Sequence, residues 1–193
     1  MQVHEEFVQA IELRNAKSAE EKLILFKRKA PAKSYKLQLM EAQYARISKR
    51  IDEAVVILKE LISTYPSNVA AYLELASCLY DRNEKWIDQM SQVVNTFKGN
   101  KEAYAKFYAL LKQDSKSNKK ESQLIQYCLE QLHVLDPYNT IWLIELAAIA
   151  NDTDLQLELY CRAFLINHSE ESLKGIQKVF YFYLDLEEST SKE

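Results

Sequence analysis

"DEAVVILKELISTYPSN", residues 52–68, reads as a helix down to Thr64 and then meets a proline. Ala54, Leu58 and Leu61 recur at helical spacing, so one face of this segment is suited to burial. Pro66 cannot continue the helix, and Ser67-Asn68 supplies the residue types that start a new one. A second stretch, "LEQLHVLDPYN" (129–139), stops the same way at Pro137, before Tyr138-Asn139. The two prolines lie 71 residues apart, about two periods of a mid-thirties repeat. That spacing describes an array of similar units.

Other segments carry the same period. "YKLQLMEAQYARI" precedes residues 52–68 across a polar "SKR", with Ala42 and Ala45 on one face opposite Ala54, Leu58 and Leu61. Small residues there let two antiparallel helices approach closely while bulkier ones fill the grooves. "NVAAYLELASCLY" then puts Tyr72, Leu75, Ala76 and Leu79 at i, i+3, i+4 and i+7, answered by "EKWIDQMSQVVNTF". "KEAYAKFYALL" repeats the spacing with Tyr104, Phe107, Tyr108 and Leu111, and "TIWLIELAAIA" with Leu143, Leu146, Ala147 and Ala150. The anchors Tyr72, Tyr104 and Leu143 are 32 and 39 residues apart; the longer interval holds the polar insert "KQDSKSNKKES" (112–122). Trp86 stands where a repeat of this kind puts a small residue, and is expected to fill a gap between helices.

Upstream, residues 3–14 place Phe7, Val8, Ile11 and Leu13 on one face. Ser18 with Glu21 reads as a capping box for a helix over 19–29 that carries Leu23, Leu25 and Phe26 and stops at Pro31. No single hairpin of this size buries its apolar face alone, so about three or more must stack. The expected fold is all-α, a single domain over 1–188: an irregular hairpin 3–31, repeats at about 35–66, 67–98, 100–137 and 138–168, a terminal helix 170–187, and a disordered tail 189–193. The order of large residue, leucine, small residue, aromatic, alanine and closing proline resembles a degenerate tetratricopeptide repeat. That resemblance implies a right-handed superhelix of antiparallel hairpins, whose usual work is binding.

Composition agrees. Two glycines and three prolines in 193 residues are too few turn formers for a β-rich fold. A formal charge of −3 leaves no basic footprint for nucleic acid, where affinity rests on neutralising phosphates. Cys78, Cys128 and Cys161 are widely spaced in apolar contexts and read as buried small hydrophobes in a reducing compartment. The N-terminus lacks a signal-peptide pattern, and the most apolar windows, 141–150 and 179–186, are too short to span a bilayer. A soluble cytoplasmic protein with at most peripheral membrane contact is expected.

Chemistry finds little support. His4, His133 and His168 fall near helix ends of unrelated segments, where a cation complements the helix dipole. No glycine-rich phosphate loop or nucleophile elbow is present. No catalytic residue, cofactor, metal or small-molecule substrate is therefore expected. The repeat frame puts Leu39, Gln43, Leu73, Glu74, Ser77, Tyr80, Lys106, Ile144 and Glu145 on the concave face. Tetratricopeptide proteins that clamp a peptide carboxylate resemble one another in a Lys/Asn/Arg set, but Leu73, Glu74 and Ser77 stand at those positions. A mixed groove for a partner segment fits better; a merely solvated face is the plainer alternative. The insert 112–122 reads as a solvated loop, or as a contact with anionic lipid headgroups at about 1 kcal/mol per nearby basic residue. Residues 179–184, "VFYFYL", cannot all point inward at 3.6 residues per turn. Phe180, Tyr181 and Tyr183 are thus candidates to meet a partner at the end of the array.

Three blocks resemble one tetratricopeptide family, subunit 2 of the endoplasmic reticulum membrane protein complex (EMC). They are "SYKLQLMEAQYARISKRIDEAVVILKELISTYPSNVAA", "NTFKGNKEAYAKFYALL" and "YCLEQLHVLDPYN", in the family's order, with "KGNKEAY" the most specific. Members continue through further helices after the position of "FYFYLDL", so contacts of that extension are not carried over. The resemblance implies a non-catalytic scaffold on the cytosolic side of the complex. It would hold cytosolic parts of membrane-embedded subunits and a soluble subunit while the assembly inserts transmembrane segments. A tetratricopeptide adaptor of another assembly is the alternative, and a helical-repeat RNA binder a remoter one.

Overall fold

Short polar joins set the helix order, and asparagines set most of the starts. Asn15, Asn68, Asn100 and Asn139 each accept a hydrogen bond from a backbone N–H in the first turn of the following helix, as do Ser34 and Asp152. Each satisfies a donor that a helix N-terminus leaves unpaired, at about 1 kcal/mol per cap. The structure, a computed structural model, describes residues 2–31, 34–114 and 119–190, without the side chains of 119–120 and 182–190. Among the described residues it contains eleven α-helices and no strand. These are α1 (Gln2–Glu12), α2 (Ala16–Lys27), α3 (Tyr35–Ile47), α4 (Ile51–Thr64), α5 (Val69–Asp81) and α6 (Trp86–Thr96). They continue as α7 (Lys101–Gln113), α8 (Lys119–Leu135), α9 (Thr140–Ile149), α10 (Thr153–Asn167) and α11 (Glu170–Thr190).

The helices group into two compact units, Met1–Lys98 and Gly99–Glu193. In the first, α1/α2, α3/α4 and α5/α6 are hairpins, each helix packed on the next. The first helices of successive hairpins also touch, α1 on α3 and α3 on α5. In the second unit α7/α8 and α9/α10 are hairpins, and α11 packs on α10 and reaches back to α9. The contacts α1 on α3 and α3 on α5 are of the kind that stacking of two-helix repeats requires.

The turns inside the first three hairpins share one geometry. Arg14, Lys49 and Asn83 have φ of 50°, 62° and 57°, and stand 35 and 34 residues apart. In each turn the left-handed residue and its successor donate back to the end of the preceding helix: Arg14 to Ile11 and Asn15 to Ala10, then Lys49 to Arg46 and Arg50 to Ala45, then Asn83 to Tyr80 and Glu84 to Leu79. This closure satisfies orphan carbonyls and reverses the chain. The hairpin over 3–31, expected to be irregular, turns like the two after it. One consequence corrects the sequence reading. Helix α1 ends at Glu12, so Leu13 swings out of the Phe7–Ile11 face and is 80% exposed.

Burial follows most of the predicted rows elsewhere, although Leu25 of the α2 row is 41% exposed and Tyr72, Leu79 and Ala150 are only half-buried. Ala42 and Ala45 of α3 face Ala54, Leu58 and Leu61 of α4, and Ala71, Leu75 and Cys78 of α5 close the cluster. Phe7, Ala10, Ile11, Ala19 and Leu23 pack with Leu37 and Met40. Tyr104, Phe107, Tyr108 and Leu111 are all buried in the second unit, as are Leu143, Leu146 and Ala147. Each large side chain so buried contributes about 1.5–3 kcal/mol. Trp86 is buried with its ring edge-on to Tyr80, centroids 5.3 Å apart, filling a gap between α5 and α6 as expected.

Other boundaries differ from the sequence reading. Helix α2 starts at Ala16, capped by Asn15, and Ser18 supplies a bonded backbone N–H rather than the cap. The two ends of the insert 112–122 are helical: Lys112 and Gln113 end α7, and residues 119–122 begin α8, with Glu121 buried. It contains no glycine or proline to break a helix, and its Lys, Glu and Gln residues favour one. Residues 115–118 lie outside the described residues. Helix α11 extends to Thr190, past the expected 187, and residues 191–193 of the expected tail lie outside the described residues.

Ala76 is fully buried in α5. Ala76→Leu is expected to overpack this seam and cost about 1–3 kcal/mol. Thermal unfolding followed by circular dichroism should show a lowered Tm; an unchanged Tm would mean the alanine does not set the helix spacing.

Candidate functional site

The first helices carry their polar residues in pairs one repeat apart. Arg46 of α3 donates from Nε to Glu74 of α5 and from Nη1 to Asp81 Oδ2 at 3.0 Å. Arg14, from the α1–α2 turn, approaches the other Asp81 oxygen at 3.8 Å. The Arg46 and Glu74 side chains are only 12% and 10% exposed, so solvent screens this pair little. Burial opposes the Arg46 charge, but Glu74 and Asp81 together outweigh it and hold the guanidinium above its ordinary range. In the second unit Lys112 of α7 pairs with Glu145 of α9, which holds the ammonium above the usual lysine range. Lys101 bonds Asp136 at 3.1 Å and pulls that carboxyl below its ordinary range.

These pairs change how the expected groove residues are used. Glu74 and Glu145, placed on the concave face by the repeat frame, each face a cation from the preceding first helix. Ser77 is buried and donates its hydroxyl to the Leu73 carbonyl at 3.0 Å. Leu39 is partly buried against the core, Tyr80 meets Trp86 edge-to-face, and Gln43 and Leu73 are half-buried. In the second unit Lys106, Ile144 and Glu145 are half-buried. Ile144 and Glu145 line a cleft of about 430 Å³ with Lys112, Tyr160, Lys174 and Lys178. Such a volume suits one or a few side chains of a bound segment.

Helix α11 forms one wall of that cleft because Gly175 lets it. A Cβ at this helical position would collide with the Tyr160 ring of α10. Glycine inside a helix costs about 1 kcal/mol relative to alanine, and here the cost is offset by close packing. Farther along, Val179 turns inward while Phe180 and Tyr181 are 58% and 66% exposed, so two aromatics face outward as the helical geometry requires. The Tyr183 side chain lies outside the described residues.

Among the described residues the histidines and cysteines sit as follows. Burial lowers the His133 pKa, and Arg162 adds to the shift; burial and then Lys36 do the same for His4. These two therefore lean toward neutral imidazole, not the dipole-complementing cations expected from sequence. His168 is exposed and caps α10 in the left-handed region. Burial pushes the Cys128 thiol up to about 12, which removes it as a nucleophile near neutral pH. Cys78 is buried too, whereas Cys161, expected inside, is partly exposed. Among the described residues no group of His, Cys, Asp or Glu could hold a metal, and no helix is long and apolar enough to cross a membrane.

No protein-family model matches the sequence, and no curated protein matches it significantly. Solved structures do. The chain is similar to a chain of the APC/C hetero-tetramer Cut9–Hcn1, with a TM-score of 0.55 and 15% identity over 92% of this chain and 35% of that one. It is similar to a MamA double mutant (RS-1) at 0.54 and 12%, over 88% and 94%. It is also similar to a tetratricopeptide repeat protein from Parabacteroides merdae at 0.53 and 14%, over 98% and 75%. The fold is the tetratricopeptide-repeat fold. At these identities the likeness extends to the fold alone, and the Arg46 and Lys112 pairings are read from this chain's own geometry.

Sequence reading missed Arg46, Asp81, Lys112 and Tyr160 as site residues. A signal existed: Arg46–Asp81 and Lys101–Asp136 are both 35 residues apart, and Lys112–Glu145 33, so opposite charges recur at one period.

Two substitutions test the site's construction. Arg46→Met should cost about 3 kcal/mol in urea unfolding, because Glu74 is left buried without its partner. Adding Glu74→Leu should recover part of that loss, and simple additivity of the two changes would show that the pair is uncoupled. Gly175→Ala should destabilise by about 1–2 kcal/mol despite alanine's better helix propensity, since the Tyr160 ring must move. A raised Tm for this variant would show that the close approach is not tight.

Proposed function

We propose that the protein is a non-catalytic tetratricopeptide scaffold, and specifically a subunit of the endoplasmic reticulum membrane protein complex on its cytosolic side. The observation that carries the scaffold reading is the use of the polar first-helix residues. Glu74 and Glu145 are bound in inter-repeat ion pairs between neighbouring hairpins, leaving a shaped cleft and, among the described residues, no acid–base or nucleophilic constellation. Protein partners follow from that fold and cleft. The finer assignment rests on the three sequence blocks that resemble EMC subunit 2, "KGNKEAY" foremost. In that setting the partners are cytosolic parts of membrane subunits and a soluble subunit, and the location is the cytoplasmic face of the endoplasmic reticulum, held peripherally. The protein would support insertion of transmembrane segments there without touching substrate chemistry. Phe180, Tyr181 and Tyr183 are then candidates for a partner at the end of α11.

Affinity capture of the tagged full chain from detergent-solubilised membranes tests the assignment. Co-purification of EMC membrane subunits is the expected result. Recovery of a different soluble assembly would replace EMC with another adaptor role, and recovery of RNA would overturn the protein-scaffold reading.

A further inference from the structure

The first unit holds a second cleft of about 430 Å³ at the end where its hairpins turn. Its lining is Arg14, Arg46, Ile47, Lys49, Ile51 and Asp81. None of these belongs to the concave residues Leu39, Gln43, Leu73, Ser77 and Tyr80. Two of the cations, Arg14 and Lys49, are the left-handed residues of successive turns, so the repeat geometry delivers both to one place.

Donors exceed acceptors around this cleft. Arg46 bonds Glu74 through Nε and Asp81 through Nη1. Arg14 comes only within ion-pair range of Asp81 and makes no hydrogen bond to it, and Lys49 has no ion-pair partner among the described residues. An oxyanion placed between Arg14, Arg46 and Lys49 would gain charge-assisted bonds from them.

We propose that this cleft binds a carboxylate side chain of an acidic, apolar-flanked peptide segment from a partner protein. Three cations against Asp81 and Glu74 leave one net positive charge, which matches a monovalent carboxylate better than a divalent phosphate. Ile47 and Ile51 give the cleft an apolar wall that an aliphatic neighbour covers and an inorganic ion leaves bare. The site is independent of which assembly the protein joins, and of the cleft lined by Ile144 and Glu145.

The test uses the full chain with labelled arginine side chains and three probes: acetyl-Leu-Glu-Leu-amide, acetyl-Leu-Gln-Leu-amide and inorganic phosphate. The glutamate peptide should shift the Arg46 Nε–Hε resonance saturably, and the glutamine peptide should not. Arg14→Gln and Lys49→Gln, at exposed positions, should each weaken the glutamate peptide by about fivefold to tenfold, the loss of one charge-assisted bond. Arg46 itself is left intact because its removal is expected to destabilise the unit. Equal binding of the glutamine peptide, no saturable shift, or no effect of either substitution would overturn the proposal. Phosphate binding as tightly as the glutamate peptide would overturn the carboxylate assignment. Failure here leaves membrane-complex capture unaffected, and failure of that capture leaves this site standing.

Discussion

Antiparallel helices in this protein come close because alanine occupies the seam between them. Ala42, Ala45, Ala54, Ala71 and Ala76 are all essentially without solvent exposure, and each sits where a larger side chain would hold two helix axes apart. Close approach brings Leu58, Leu61 and Leu75 into the grooves of neighbouring helices. In the first unit it also brings the first helix of one hairpin against the first helix of the next. The ion pairs of Arg46 depend on that contact. Arg46 on α3 reaches Glu74 and Asp81 on α5 only because those helices touch.

A buried ion pair is a weak source of net stability, since desolvating both charges cancels much of their attraction. Its value here lies in register. Arg46 satisfied by two carboxylates on α5 penalises any slide or rotation of one hairpin on the next, which apolar contact alone would tolerate. The largely alanine and leucine seam fixes distance, and the charges fix alignment. In the second unit Gly175 adds a further alignment device, locking α11 onto the Tyr160 face of α10. The price of that packing is a helix whose later aromatics cannot all be covered from one side.

Much of the architecture was legible in sequence because burial at helical spacing leaves a direct trace. The rows Tyr104–Phe107–Tyr108–Leu111 and Leu143–Leu146–Ala147 could be read as inward faces before any coordinates, and they are buried. The asparagine starts at 68 and 139 were readable for the same reason, since cap chemistry is local. Leu13 misled because apolarity marks a candidate for burial without marking where the helix ends. The 112–122 segment misled because polarity is shared by loops and by solvated helix faces.

The left-handed turns at Arg14, Lys49 and Asn83 left no glycine to read, although their bonds recur at the repeat period. The sequence by itself determined the helical class, the repeat length, the alanine seam and the net charge of −3. Each follows from residue type and local spacing. Only the tertiary structure decided that Glu74 and Glu145 are neutralised by Arg46 and Lys112, and that Arg14 and Lys49 converge on one cleft. Partnership between residues about 28 to 35 positions apart depends on how helices dock, and docking is a property of the whole stack rather than of any segment.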